Sequence, residues 1–233
     1  MGGCFRVIAV AALGLMACGC AAPQAAVGAI GPRAAQFQAY SPATGLTAAT
    51  PLPSSTVAAA VPAGFISFCM RFPGQCQLPE NGPTRATVEP GSWVLLETVN
   101  QSVNRAIKPM DDLRHYGRAE YWNIPSDGFG DCEDYALTKR RDLVASGIPI
   151  GALRVAIVLT PREERHAVLT VTTDQGDYVL DNLTDQIVSW EKSDYVWIER
   201  QDPTKAWGWV ALGLAPDAEK IAAIASRPLG AAR

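Results

Sequence analysis

Apolar positions recur at helical spacing between residues 132 and 147. Ala136 and Leu143 lie seven residues apart, and so do the two residues that follow them, which is the spacing of one helical face. Asp131 is a suitable N-cap, and Gly147 is a typical residue just past a helix end. The pattern therefore predicts one helix over this range, and its first residue is a cysteine.

A second pattern, of period two, covers residues 166–182. Polar and apolar residues alternate over 166–173, turn-forming residues occupy 174–177, and a second run of strand-forming residues covers 178–182. Two such runs joined by a short turn are typical of an antiparallel hairpin. We therefore predict two paired strands here.

His166 opens this hairpin, and two acids of the returning chain are candidates to face it. With the turn centred on residues 175 and 176, Asp181 shares the face of His166 but lies roughly 13 Å further along the ladder. Asp185 lies directly opposite His166 in the same register. Spacing alone leaves both acids open. The other histidine of the chain, His115, lies in a polar stretch typical of a surface.

The first 26 residues have the order of a secretory signal, with a basic residue, an apolar run over 7–17 and small residues. That run is too short to cross a bilayer, which takes about 20 residues. Residues 15–18 also resemble a lipoprotein box that would place a lipid on Cys18, and Cys20 offers a second, overlapping box. Ordinary cleavage at residues 22–26 is the alternative. We expect export to the periplasm or the outward-facing envelope, with membrane contact only through such a lipid.

The composition then changes along the chain. Residues 27–63 are rich in Ala, Pro, Ser and Thr and contain one charged residue, Arg33, so they are poorly suited to a packed core and read as a linker. All six tryptophans lie after residue 90. We therefore predict a folded domain over residues 64–212, followed by a C-terminal tail over 213–233.

Charge narrows the classes of partner. The 233 residues are 48% hydrophobic and 18% charged, which is typical of a globular protein. There are 20 basic and 23 acidic residues, giving a net charge of −3, and no basic run indicates nucleic-acid binding. We expect a monomer that does not bind nucleic acid.

Export makes the cysteines informative, since disulfides persist in oxidising compartments. Cys69 and Cys76 flank a Pro-Gly pair that can turn the chain back, so we predict a disulfide, which stabilises the fold by roughly 2 kcal/mol. A metal site there would need two further soft ligands that the sequence does not offer nearby. Cys132 is then the unpaired cysteine of the domain.

Cys132 is either a packed, inert thiol or a nucleophile. The start of a helix favours the thiolate through its free N–H groups and its dipole. Asp131, Glu133 and Asp134 act in the opposite direction, because nearby negative charge raises a thiol pKa. A reactive Cys132 therefore needs a positive group or a bound cation, and a base such as His166 that an acceptor holds in place.

Three sequence blocks combine these features. They are Trp122-Asn-Ile-Pro125, Gly130-Asp-Cys-Glu-Asp-Tyr-Ala-Leu-Thr-Lys-Arg140, and His166-Ala-Val-Leu169 with Val179-Leu-Asp-Asn-Leu183. Together they resemble the bacterial transglutaminase-like cysteine proteinase (BTLCP) family, related to the LapG-type periplasmic adhesin proteases. The resemblance implies an α+β, papain/transglutaminase-like cysteine protease fold, with the nucleophile at the N-terminus of a helix packed on an antiparallel β-sheet.

The resemblance also assigns roles to residues. It implies that Cys132 is the nucleophile, His166 the general base and Asp181 the orienting acid, and so it favours Asp181 over Asp185. Trp122 is a candidate wall of the substrate cleft, although a buried aromatic is more often part of the core.

A dependence on calcium is also implied. Asp131 and Glu133 correspond to calcium ligands of the family, and Asp134 is a further candidate. Carboxylate oxygens suit this hard cation, and its charge would offset that of the acids around Cys132. The alternative is that the acids only cap the helix and favour its dipole.

The function implied is that of an exported cysteine peptidase, which hydrolyses peptide bonds of an envelope or surface protein. Two alternatives stay open: a transglutaminase or amidase that uses the same triad, and a non-catalytic binding module with this fold. The Ala/Pro-rich leader, the Cys69/Cys76 pair and the lipoprotein box resemble a smaller subgroup of exported members. The adhesin substrate is therefore not carried over to this chain.

Overall fold

A computed structural model describes residues 49–53, 55–212 and 229 of the chain. The predicted signal segment with Cys18 and Cys20, the first part of the predicted linker and nearly all of the predicted tail lie outside these residues. The described residues do not test those predictions.

Four helices are present among the described residues: Ala63–Arg71 (α1), Pro90–Ala106 (α2), Asp112–Tyr116 (α3) and Cys132–Ala145 (α4). α2 starts with a proline in its first turn and a capping box between Glu89 and Ser92. The predicted helix is confirmed as α4, which ends just before Gly147 at φ +96°. No helix in the described part of the chain has the length and apolar character needed to cross a membrane.

The main sheet has six antiparallel strands. In chain order they are Leu153–Leu159 (β3), Arg165–Thr173 (β4), Gly176–Leu180 (β5), Val188–Ser189 (β6), Val196–Gln201 (β7) and Trp209–Ala211 (β8). Their order across the sheet is β6-β5-β4-β3-β7-β8. Two shorter strands, Lys108–Pro109 (β1) and Phe129–Gly130 (β2), form a separate parallel pair just before α3 and α4.

The sheet is buried on both faces, which explains why β3 has no exposed position. On one face, Val155, Leu169 and Val171 belong to a core that they share with α1, α2 and α4. On the other face, Val158 and Val179 pack with other apolar side chains. The antiparallel sheet with α4 packed on it is the α+β fold that the sequence predicts.

The predicted hairpin is present, but its predicted register is wrong. Thr173 pairs with Gly176, so the turn is centred on residues 174 and 175 and the ladder shifts by two residues. Gly176 has φ +113°, and a Cβ at this position would lie 2.1 Å from the carbonyl oxygen of Ala49. Gly176 is the first residue of β5, where any side chain would collide with Ala49. Continued beyond the last observed pair, the ladder places Asp181 two residues from His166 rather than four.

The described part of the predicted linker contacts the sheet. The N–H of Ala49 donates to the carbonyl of Gln175 at 2.9 Å, and that of Leu52 donates to Asp177 Oδ2 at 2.5 Å. Ala59 likewise donates to the carbonyl of Trp209 at 2.9 Å. Residues 49–53 and 55–62 therefore lie along the sheet before α1 begins.

The predicted disulfide between Cys69 and Cys76 is confirmed. It links the end of α1 to a short 3₁₀ turn, Pro73–Gln75, and both cysteines are buried. The Pro-Gly pair reverses the chain between them, and the two Cα atoms lie 5.6 Å apart.

Candidate active site

Cys132 is the first residue of α4 and is fully buried against β4. Its Sγ accepts a hydrogen bond from the N–H of Ala167 at 3.4 Å and donates one to Glu133 Oε2 at 3.3 Å. Among the described residues it is the free cysteine. The start of α4 thus lies beside the strand that carries His166.

His166 pairs with Asp181. Its Nε2 lies 2.8 Å from Asp181 Oδ1, and both side chains are buried. Nδ1 is therefore the ring nitrogen that this pairing leaves for proton transfer. Asp185, the alternative acid, is exposed and accepts a hydrogen bond from Asn104 Nδ2 at 2.9 Å.

The carboxylate of Asp181 has three hydrogen-bond donors around it. Besides His166, the N–H of Leu183 donates to Oδ1 at 3.0 Å, and the hydroxyl of Tyr195 donates to Oδ2. Burial alone would raise the pKa of Asp181, but the hydrogen bond and charge of His166, with the bonds from Tyr195 and Leu183, hold this pKa below its ordinary value. Asp181 is therefore ionised at neutral pH.

Side chains of α2 hold the loop after β5. Asn104 Nδ2 donates to the carbonyl of Asp181 at 3.0 Å, and Asn100 Nδ2 donates to the carbonyl of Asp185 at 3.1 Å. These amides supply partners to a loop that has left the sheet. They hold the backbone of Asp181 and Asp185 in place.

An acidic cluster lies at the start of α4. It consists of Asp112, Asp131 and Glu133, all buried, with one ligand oxygen from each residue within 4.8 Å of the other two. The β1–β2 pair builds it, because the N–H of Met110 donates to the carbonyl of Gly130 at 2.9 Å and so places α3 beside the start of α4. Asp112 was not predicted from the sequence as a member of this cluster, although the Asp111-Asp112 pair was a visible signal.

Asp134 lies outside this cluster. Its Oδ1 accepts the N–H of Asn123 at 2.6 Å, so it anchors the chain after Trp122. The glycine before Asp131 makes room for it, because a Cβ on Gly130 would lie 2.6 Å from Asp134 Oδ2.

The cluster has a strong effect on nearby pKa values. Burial, followed by the surrounding acids, raises the pKa of Asp131 to about 7 and that of Glu133 well above its ordinary value. Burial also raises the pKa of Asp112. Burial, with the charges of Glu133 and Asp131, raises the pKa of the Cys132 thiol well above its ordinary value. On its own, this cluster keeps Cys132 protonated.

The acidic cluster fits a hard divalent cation. Asp112 Oδ1, Asp131 Oδ1 and Glu133 Oε1 are buried and have no hydrogen-bond partner, so each residue has a free oxygen to offer. Asp131 occupies the N-cap position but makes no capping hydrogen bond, so its side chain is not used to end the helix. An all-oxygen ligand set of this kind suits calcium, in agreement with the sequence-based prediction.

Trp122 lies in the core, which corrects its predicted place in a substrate cleft. It has no exposed surface, and its ring packs edge-on against Phe65 at 5.9 Å and Trp209 at 6.1 Å. Its indole therefore has no face to offer to a peptide. His115 stacks on Tyr116 and pairs with Asp127 at 2.8 Å.

A cavity of about 550 Å³ borders the other side of the His166–Asp181 pair. Val179, Val188 and Tyr195 contribute to its wall, which places it on the face of the sheet opposite α4. Cys132 is not among the residues that line it. The cavity therefore borders both His166 and Asp181 but does not reach Cys132.

The sequence matches the model of the bacterial transglutaminase-like cysteine proteinase (BTLCP) family over residues 55–216, or 162 of 233 residues. Among solved structures, calcium-bound Legionella pneumophila LapG is 26% identical, with a TM-score of 0.45 and coverage of 58% of this chain and 79% of that chain. EGTA-treated LapG is 26% identical, with a TM-score of 0.45 and coverage of 57% and 77%. A comparison with curated protein sequences finds no significant match.

Proposed function

The chain belongs to the bacterial transglutaminase-like cysteine proteinase family, and on this premise we propose that it is an exported cysteine peptidase with the triad Cys132, His166 and Asp181. The observation that carries this proposal is the buried His166–Asp181 hydrogen bond of 2.8 Å on the strand that contacts Cys132 Sγ. A nucleophile, a base and an acceptor that orients the base are the parts that acyl transfer requires.

The mechanism follows from these contacts. His166 takes the thiol proton at Nδ1 while Asp181 holds Nε2, and the Cys132 thiolate attacks the carbonyl carbon of the scissile peptide bond. The imidazolium then gives its proton to the amide nitrogen, the C–N bond breaks, and the amine leaves a thioester on Cys132. Water, deprotonated by His166, attacks the thioester and releases the acid and the thiol.

The start of α4 contributes to transition-state stabilisation. The backbone N–H of Cys132 lies in the first turn, where N–H groups are free of intrahelical partners and the helix dipole is positive. A developing oxyanion is stabilised by such a donor, and removal of one donor in comparable enzymes costs about 10²–10³ in rate. We assign this N–H to the oxyanion hole.

We also propose that Asp112, Asp131 and Glu133 hold calcium. A bound calcium ion would supply two positive charges beside Cys132 and so favour its thiolate. The three carboxylates then act as ligands rather than as acids that keep the thiol protonated. This proposal rests on their free, buried oxygens and on their mutual distances of 4.8 Å or less.

Labelling of Cys132 tests the peptidase assignment. The protein is incubated in calcium with a peptidyl acyloxymethyl ketone, which traps an activated thiol, and the modified residue is found by mass spectrometry. We expect rapid labelling of Cys132, none in Cys132→Ala, and at least a 100-fold lower rate in His166→Ala, because the base is lost. His115→Ala is the matched control and should label at the wild-type rate.

Two outcomes would contradict the assignment. Equal rates for His166→Ala and the wild type would remove His166 as the base. Absence of labelling in the wild type, with calcium-dependent capture of a protein, would favour a binding module. If a primary amine added with an acyl donor gave mainly amide product, the activity would be amine transfer.

We propose that the substrate is a protein of the envelope or cell surface and that the enzyme acts there as a monomer. The support is the predicted export signal together with the family. A strain that carries Cys132→Ala should retain, uncleaved, a surface protein whose N-terminus is changed in the parent strain. Identical surface proteins in the two strains would contradict this proposal.

A further inference from the structure

Tyr195 contacts both members of the buried His166–Asp181 pair. Its hydroxyl donates a hydrogen bond to Asp181 Oδ2, the oxygen that His166 does not use. Its ring lies edge-on to the imidazole of His166, with centroids 5.9 Å apart and an interplanar angle of 62°. The hydroxyl of Tyr195 thus contacts Asp181, and its ring contacts His166.

The hydrogen bond completes the surroundings of the carboxylate. Oδ1 is already shared by His166 Nε2 and the N–H of Leu183, and Oδ2 accepts the hydroxyl of Tyr195. A carboxylate with a donor on each oxygen cannot rotate without breaking at least one bond. The plane of Asp181, and with it the direction of the bond to His166, is thereby fixed.

Tyr195 also separates Asp181 from solvent. Asp181 borders the cavity of about 550 Å³ on the outer face of the sheet, yet only 3% of its surface is exposed. Tyr195 is half-buried in the wall of that cavity, with its hydroxyl turned inward to Asp181. Without the hydroxyl, water from the cavity would be the competing partner of Oδ2.

We propose that Tyr195 is a positioning residue of the catalytic triad, which holds Asp181 so that His166 is aimed at Cys132. This inference rests on the proposed function of the triad. Charged groups also lie near this pair: Lys139 from α4 interacts with Asp181 and with Asp185 from the loop after β5, and Asp194 lies beside Tyr195. None of them takes the place of the tyrosine hydroxyl at Oδ2, because Lys139 Nζ makes no hydrogen bond and carboxylates accept hydrogen bonds rather than donate them.

Tyr195→Phe tests the inference, since it removes the hydroxyl and keeps the ring. The rate of Cys132 alkylation by iodoacetamide is measured in calcium from pH 4 to pH 9. We expect a rate about ten-fold lower at neutral pH. The acidic limb of the pH–rate profile, where the rate falls with decreasing pH, should move to higher pH by about one unit. This is the size expected for one hydrogen bond to an ionised group. The direction follows because the lost donor had lowered the pKa of Asp181.

Tyr135→Phe is the matched control. It also removes a tyrosine hydroxyl, here that of a buried residue that donates to the carbonyl of Ile107 at 2.6 Å, but this hydroxyl does not contact the pair. We expect it to lower thermal stability without moving the acidic limb. An acidic limb that stays unchanged in Tyr195→Phe, or moves equally in both variants, would overturn the inference.

A second measurement does not depend on reactivity. The ¹³C-carboxyl signal of Asp181, assigned through Asp181→Asn, is titrated in the wild type and in Tyr195→Phe. We expect the pKa of Asp181 to be higher in the variant, and equal values would overturn the inference. If wild-type Cys132 proves unreactive, the proposed function fails, but this titration still decides whether Tyr195 holds Asp181.

Discussion

Glu133 and Cys132 are neighbours whose negative charges would repel each other when both are ionised. The thiol donates to Glu133 Oε2 at 3.3 Å, so the ionised thiolate would face a carboxylate at contact distance. Two like charges at this separation cannot both be stable in a buried site unless a cation lies between or beside them. Through Glu133, the ionisation of Cys132 is therefore linked to the occupancy of the acidic cluster.

The same reasoning predicts a pH dependence of stability in the absence of calcium. The pKa of Asp131 is about 7 in the folded protein and 3.8 in an exposed chain, so the folded state binds the proton more tightly. Its contribution is fully present below about pH 4 and is lost as the pH rises to about 7. In EGTA, we expect the free energy of unfolding, measured in urea, to fall by a few kcal/mol between pH 5 and pH 8.

With calcium this fall should be absent, because the bound cation favours the ionised carboxylates. The stabilisation by calcium should therefore be larger at pH 8 than at pH 5. Glu133→Gln should lose most of it, whereas Asp142→Asn, which alters a partly exposed acid at the other end of α4, should keep it. The same pH slope with and without calcium would contradict the assignment of the cluster.

The contacts of single site residues could be predicted where these residues are adjacent in the sequence. Cys132 and Glu133 are adjacent, so the opposition of their charges can be read from the chain. Asp112 lies 19 residues before Asp131 and joins it through a two-residue parallel pairing that has no sequence signal of its own. Trp122 was misplaced because an aromatic residue near a motif can fill a core as well as a cleft.

The β4–β5 hairpin shows what can be predicted at the level of an element. Alternation gave its strands and its approximate turn, but the register depends on which residue ends the turn. That choice is made by Gly176, whose missing side chain leaves space for the backbone of Ala49. Ala49 is 127 residues earlier in the chain, so no local pattern could reveal it.

Gly176→Ala should therefore be strongly destabilising. The residue has φ +113°, and the added Cβ would lie 2.1 Å from the carbonyl oxygen of Ala49, so both the backbone and the packing oppose it. We expect a loss of about 2 kcal/mol or more in the free energy of unfolding, measured by urea denaturation. Gly74→Ala is the control, since a Cβ there meets no atom within 4 Å. Equal effects of the two changes would contradict this account of the hairpin.

The molecule as a whole brings its site together from distant segments. α4 carries Cys132, β4 carries His166, the loop after β5 carries Asp181, and α3 contributes Asp112 to the acidic cluster. The sequence predicted α4, the hairpin and, by resemblance, the fold, because each of these has a periodic pattern or a motif. The meeting of α3 with α4 depends on tertiary pairing and could not be predicted in the same way.

The Cys69–Cys76 disulfide lies in α1 and the turn that follows, and neither cysteine belongs to the proposed triad or to the acidic cluster. Its loss in the double variant Cys69→Ala/Cys76→Ala should lower the free energy of unfolding by roughly 2 kcal/mol, because the unfolded chain regains the freedom of a short loop. The labelling rate of Cys132 at a temperature where the variant is folded should stay unchanged. A loss of labelling with retained folding would show that α1 supports the site, and not only the stability of the domain around it.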